Sequence, residues 1–405
     1  MKGLNVLKKL FLLCSLYTIT YLQADALSNI LSTNQNALLE YDLQENYAKG
    51  KQLRKAWIKP IMLQYGKNYS KQFANQVVDT GSFTVGIDQP IFRSGGIYFA
   101  IKYADALEGA NKAAITLKKR EMIGRAVRLL FEIRQIKYRR KKLKLLIKND
   151  TIKIRQMRDS YEAGLLDSSF LDQAILKKNQ DETQLLELEV SMMDMRKNFA
   201  LLSDENPDTL FLPRLKLISS QIYKGNNLEL VRDKLRAKEK KYNAKMTWAK
   251  YLPTFSIQGQ YNDSDLNPLF GNQSGLKEKY ISYGFRISMP IDINMFSDIE
   301  ASKLAQLKAQ TEVLDRVHSI DTSYKLARRK LKILDKKIAL SIKDEHLYRR
   351  LYKSTKNLVK AGEKTSFDIE MMLHSLEIKK LDKKIYDIEK QIELLGLYTK
   401  VESVD

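Results

Sequence analysis

Two periods alternate along this chain. The apolar residues Leu185, Leu188, Met192, Met195, Phe199 and Leu202 step by three and four, and Leu381, Ile385, Ile388, Ile392 and Leu395 do the same. That spacing lays one apolar seam along a helix and predicts helix packed on helix. Elsewhere the period is two. In ISYGFRISMP, Ile281, Tyr283, Phe285, Ile287 and Met289 share one face, and Ser282, Gly284, Arg286 and Ser288 share the other. In SFTVGIDQP, Phe83, Val85 and Ile87 alternate with Thr84, Gly86 and Asp88. An apolar face backed by a small or polar one suits a strand with lipid on one side and water on the other. The partner segments IMLQYGKNYS and TFSIQGQYND carry tyrosines suited to a lipid–water interface.

The breaks between these patterns repeat. Residues 91–206 and 291–405 contain no proline, and each run holds a central glycine in an Ala-Gly step, Gly164 or Gly362. AWIKP ends at Pro60 and TWAKYLP at Pro253; Gln89-Pro90-Ile91 matches Met289-Pro290-Ile291. The chain therefore reads as a duplication. Residues 1–24 form a leader, 25–202 the first repeat, 203–226 a linker with Pro207 and Pro213, and 227–405 the second repeat. Each repeat holds a helix (Ala26–Trp57, Leu228–Lys250), two strands, and a long helical run that turns back at its glycine. Ile97 to Tyr161 alone spans roughly 95–100 Å of helix. Ser297-x-x-Glu300 reads as a capping box opening the second long run, and Gly95-Gly96 marks the equivalent corner in the first. The second corner lacks glycine, with Asn294 as its turn residue. The fold class is mainly α with a small β part.

The leader changes the compartment. Lys2, Lys8 and Lys9 precede the apolar run Leu10–Leu22, and Gln23-Ala24 offers a cleavage site. This order is that of a secretory signal, and the apolar core is short for a membrane helix. Cys14, the only cysteine, lies inside it after Leu13, where acylation would want a small residue. A mature chain cut after Ala24 has no disulfide, thiolate ligand or cysteine nucleophile, which suits a periplasmic or outer-membrane location. The formal net charge is +22, densest over Lys118–Arg155. Basic charge of this kind marks a solvated helix face, a nucleic-acid site or an anionic surface. The run has few aromatics and no zinc-finger, KH or RRM signature, and export argues further against nucleic acid.

Nothing in the sequence argues for an enzyme or a cofactor. His318, His346 and His374 are spaced by 28 residues, so on one straight helix neighbours stand about 40 Å apart and share no metal ion. No phosphate loop, dinucleotide loop, HExxH or nucleophile elbow is present.

Taken in order, these landmarks resemble the TolC-like outer-membrane efflux channel family over residues 25–405. QPIFRSGG is similar to that family's strand-to-helix corner, and YEAGLLDSSFLDQA and LVKAGEKTSFDIEMM are similar to its two hairpin tips. The resemblance implies a homotrimer in which each chain gives four strands to a shared barrel and its helices to a periplasmic tunnel. It implies a periplasmic adaptor and an inner-membrane pump as partners, and outer-membrane lipid around the barrel. Carried over by position, Gly164, Leu165, Ser169 and Phe170 form one adaptor-docking tip, and Gly362, Lys364, Ser366 and Phe367 the other. Asp172, Asp368 and Glu370 follow as candidates for a gate, with helix capping an open alternative for the two aspartates. The lipid-facing set is Phe83, Val85, Ile87, Ile281, Tyr283, Phe285 and Ile287. The chain then serves as a passive exit duct of a tripartite efflux or type I secretion system in a Gram-negative outer membrane. The alternatives are an exported coiled-coil scaffold or adhesin without a pore, and a basic nucleic-acid-binding helical protein.

Overall fold

The computed structural model describes residues 30–71, 77–264 and 279–401. The leader with Cys14 lies outside them. In chain order come α1 (Thr33–Lys55), β1 (Met62–Lys71), β2 (Val77–Phe92), α2 (Gly96–Glu162) and α3 (Ser168–Ala200). After a short α4 (Ser220–Gly225) the plan recurs as α5 (Leu228–Lys250), β3 (Thr254–Ser264), β4 (Lys279–Ser288), α6 (Met295–Lys360) and α7 (Ser366–Tyr398). The long helices have 67 and 66 residues and the returning helices 33 each. The described residues divide into two compact units.

One unit, Tyr41–Ile115 with Glu229–Val317, holds the sheet. Its strands run in the order β1-β2-β3-β4, every neighbouring pair antiparallel. Pro90 sits in β2 beside a register shift, where a missing N–H does least harm to the ladder. Met289 lies just past the end of β4, so the strand closes one residue earlier than its alternation suggests. The helices of this unit pack through small buried residues, Ala104, Ala106, Ala110 and Ala249. Gly50 belongs to the same logic: a Cβ there would meet the Glu108 carboxylate at 2.0 Å. That space lets Glu108 receive the Arg54 guanidinium at 2.7 Å. Arg316 likewise bonds Asp233 at 2.7 Å and lies 3.4 Å from Glu229.

The α6 start differs from its sequence reading. The helix begins at Met295, and Ser297 is its third residue rather than its cap. The Asp292 carboxylate accepts the Asn294 N–H at 2.9 Å, and the Asp292 carbonyl accepts Met295 N–H at 3.1 Å. The chain is thus turned into the helix two residues before the Ser297-x-x-Glu300 box can act. No positive φ is needed at Asn294, whereas the first corner uses φ +47° at Ser94 and +83° at Gly95.

The other unit comprises Met1–Glu40, Thr116–Leu228 and His318–Asp405. Phe131, Ile133, Phe199, Tyr223, Leu394 and Val401 form the centre of its core. The α7 seam buries Leu381, Ile385, Ile388 and Leu395 as its spacing predicts. Ile392 is only half-buried; Gln391 takes the inward position instead. The reason is a hydrogen bond: Gln391 Oε1 accepts the Leu215 N–H at 2.7 Å and ties down the connection between the repeats. That connection is fastened along its length. Asp208 accepts from Lys137 at 2.5 Å and Arg196 at 2.7 Å, and Leu202 accepts Ser32 N–H at 2.8 Å. Asp321 receives Lys224 and Lys325 at 2.5 and 2.6 Å, and the Lys224 hydrogen bond leads in holding its carboxyl down at about 2. Tyr324 stacks against Tyr223 and donates its hydroxyl to the Ile218 carbonyl at 2.8 Å.

Tyr324→Phe removes that buried donor and leaves the carbonyl unpaired. It should cost about 1–2 kcal/mol, read as a lower denaturation midpoint with an unchanged helical spectrum.

Candidate functional site

The two hairpin tips have one construction. Each connection is five residues long, 163–167 and 361–365. In the first, Gly164 N–H bonds the Tyr161 carbonyl at 2.9 Å and Leu165 N–H reaches back to Ser160 at 2.9 Å. In the second, Gly362 N–H bonds Val359 at 3.1 Å and Glu363 N–H bonds Leu358 at 3.0 Å. These are paired Schellman closures, which satisfy the last helix carbonyls and demand a left-handed residue at the turn. The glycines meet that demand with φ of +68° and +79°.

The returning helices start differently. Asp167 caps α3, its carboxylate accepting the Ser169 N–H at 2.8 Å. That backbone hydrogen bond holds the Asp167 carboxyl below its ordinary range. On α7 the Asp368 carboxylate accepts both the Thr365 N–H at 2.9 Å and the Thr365 hydroxyl at 2.8 Å. The Thr365 N–H bond leads in holding Asp368 low, and it remains ionised at neutral pH. Asp368 is therefore a capping carboxylate, whereas Asp172 is exposed one turn into α3 and takes no part in the Asp167 cap. Asp167 was missed in the sequence, although an Asp before Ser-Ser at a helix start is a recognisable cap signal.

The tips present contrasting surfaces. Leu165 is 76% exposed and Phe170 half-exposed, so the first tip is apolar. Lys364 and Ser366 are exposed on the second tip. Phe367 is half-buried beneath the Arg155 guanidinium of α2, 4.9 Å from its ring centroid. Glu370 is largely exposed, 3.9 Å from His374 Nε2. Arg155 could not be found from the sequence, because nothing in its spacing says which α7 residue it will cover.

The sheet has two chemically distinct faces. Register places Leu63, Val85, Tyr261 and Ile281 in one row. Tyr65 and Phe83 form part of the adjacent row, and Ile87, Tyr283, Phe285 and Ile287 lie on the same face. Most of these side chains are open; Tyr283 is 89% and Phe285 71% exposed, with Phe285 stacked on Phe255 at 5.7 Å. Val85 is half-buried. The opposite face is polar. Gln64, Thr84, Asn262 and Tyr280 form one row, in which Thr84 Oγ1 donates to Asn262 at 3.0 Å. Gln258, Gln260, Ser282 and the pair Asp88–Arg286, at 3.7 Å, complete it. β1 and β4 each pair on one side only among the described residues. No described helix is long and apolar enough to cross a membrane. No group of three metal-ligating side chains occurs among the described residues.

No family model matches the sequence, and no curated protein matches it. Solved structures do match. The outer membrane protein VceC of Vibrio cholerae superposes with a TM-score of 0.72 at 13% identity, over 94% of this chain and 97% of that one. The CmeC outer membrane channel of Campylobacter jejuni gives 0.69 at 14%, over 94% and 86%. The open-state MtrE outer membrane channel of Neisseria gonorrhoeae gives 0.69 at 12%, over 94% and 88%. The chain has the fold of these outer-membrane channels along nearly its whole length, which is the fold its sequence landmarks resemble.

At both tips a Cβ on the glycine meets nothing within 4 Å, so only backbone strain opposes substitution. Gly164→Ala and Gly362→Ala should each destabilise the local turn by about 1–2 kcal/mol, and the Asn variants by less. Faster amide exchange at Leu165 and Glu363, with the rest of the helices unaffected, would register it.

Proposed function

We propose that this chain is a passive exit duct of the Gram-negative outer membrane, serving a tripartite efflux or type I secretion system. The observation that carries the reading is the sheet. It has an open apolar face, a polar face and two unpaired edges, in a chain with the fold of outer-membrane channels. In lipid an unpaired edge leaves N–H and C=O groups without partners, each at a cost of several kcal/mol. Four strands do not close a barrel by themselves, whose minimum is about eight. An even number of antiparallel strands leaves β1 and β4 running in opposite directions, so copies join edge to edge without breaking the alternation. With the three copies implied by the sequence resemblance, twelve strands close. Phe83, Val85, Ile87, Ile281, Tyr283, Phe285 and Ile287 then face lipid, and the Gln- and Ser-rich face lines the pore.

Exposed helix surfaces support self-assembly. On α6, Leu326, Ile333, Leu340 and Leu347 recur every seven residues and stay open, flanked by Lys332, Lys336 and Lys343. On α3, Leu176, Leu186, Val190 and Met193 are open beside Glu187 and Asp194. An apolar stripe edged with lysine on one helix and with acid on another suits heterologous pairing between copies. The tips dock a periplasmic adaptor that delivers cargo from an inner-membrane pump, and Asp172, Asp368 and Glu370 border the periplasmic opening. The scaffold reading offers no account of an exposed apolar sheet face backed by a polar one, and export disfavours nucleic acid.

The test separates the two sheet faces. Phe285→Arg should cost about 2–4 kcal/mol per chain if it lies at the bilayer midplane, abolishing heat-modifiable oligomers and conductance in planar bilayers. Ser282→Arg on the other face should insert normally and change conductance. A water-soluble monomeric mature protein, or equal tolerance of both variants, would refute the duct. Gly164→Pro or Gly362→Asp should lower export-dependent drug resistance while leaving oligomers intact; wild-type resistance would remove the docking role from the tips.

A further inference from the structure

A buried polar layer crosses the helices a short way from the tips. On α2 it contains Asn149 and Asp150, on α3 Asp181, and on α7 His374. Asp150 lies twelve residues before the end of α2, Asp181 thirteen after the start of α3, and His374 eight after the start of α7. At about 1.5 Å per residue the layer sits some 12–20 Å from the turns.

Asp181 is 3% exposed, and its Oδ2 and that of Asp150 are both shut off from solvent with no donor. The two carboxyl groups lie within hydrogen-bonding reach of each other. Two buried carboxylates in that position repel, and a single proton between them converts repulsion into a short, charge-assisted bond. Lys177 donates to the other oxygen of Asp181 and stabilises it as the ionised member, leaving Asp150 to hold the proton.

We propose that Asp150 and Asp181 share one proton that clasps α2 to α3 behind the first tip, so that the stiffness of this hairpin depends on pH. Burial first, then the Asp181 charge, pushes the Asp150 carboxyl above its ordinary 3.8, against Lys177 from α3 and Lys153 on its own helix. A carboxyl raised in the folded state adds stability that is complete in acid and is lost as pH climbs through the raised value. The neighbouring His374 works in the opposite sense. Its Nδ1 lies 2.8 Å from Asn149 Oδ1, and burial pushes its imidazole down from 6.5, with Glu370 opposing and Lys148 assisting. Its neutral form therefore supports packing at higher pH, and that support is lost as pH falls through the lowered value. The layer is tightest in mild acid, between the ordinary carboxyl and imidazole values, where the carboxyl pair keeps its proton and His374 has none.

Amide exchange of the full-length protein in detergent tests the clasp, and the result does not depend on whether the chain conducts or exports. After correction for intrinsic rates, protection of the tip-side turns of α2 and α3 should fall on the order of tenfold between about pH 5 and about pH 7.5, the factor carried by one pKa unit. Asp150→Asn supplies a permanent donor to Asp181, so its protection should stay high and flat. His374→Gln should retain the wild-type fall. A flat wild type, an unchanged fall in Asp150→Asn, or a fall abolished by His374→Gln instead would overturn the proposal. Infrared spectroscopy gives a readout on the unmutated chain: a protonated-carboxyl stretch should vanish over the same pH range, and its absence in mild acid would also overturn it.

Discussion

The constraint on which the rest of this structure depends is the hydrogen-bonding need of a sheet edge. β1 and β4 expose backbone groups along one side, and water can satisfy them where lipid cannot. A sheet with an apolar face that belongs in a bilayer must therefore find edge partners, and the nearest complementary edge is on another copy. The choice of four strands, all antiparallel, follows from the same need, because it makes the two edges of one chain mutually compatible. Strand chemistry, helix stripes and assembly are consequences of closing that ladder.

Charge is distributed around this scheme unevenly. The surplus of lysine and arginine that dominates the composition resides mainly on α2 and α6, the long helices, while α3 and α7 carry slightly more acid than base. Contacts follow this division: Arg140 bonds Glu189 of α3 at 2.5 Å, Lys142 bonds Asp382 of α7 at 2.6 Å, and Arg139 lies 3.4 Å from Glu389. These pairs are partly exposed and individually weak. Their collective effect is to favour one pairing of basic outgoing with acidic returning helices over like-with-like alternatives.

Much of the architecture was legible because it rests on local rules. Gly164 and Gly362 announced the turns, since few other residues tolerate their φ, and the predicted Leu228–Lys250 helix matches α5 in full. The alternation of Ile281, Tyr283, Phe285 and Ile287 appears unchanged as the open face of β4. What escaped depends on competition or on contacts across elements. Asp292 captured the start of α6 before Ser297 could, and Gln391 displaced Ile392 because a backbone donor at Leu215 needed an acceptor. The Arg155–Phe367 stack and the Asp150–Asp181 contact join separate helices, and periodicity along one helix carries no record of which rung of another it will meet.

The matched lengths of the two hairpins have an evolutionary corollary. With 67 and 33 residues in one arm pair, 66 and 33 in the other, and five in each bend, the repeats have kept step to within a single residue. An insertion of one helical turn in only one repeat would advance its bend by about 5 Å relative to its twin and rotate every later heptad out of its seam. Changes of length are thus acceptable only in compensating pairs. The chain can drift far in sequence, as 12–14% identity to its structural neighbours attests, while its ruler stays nearly fixed.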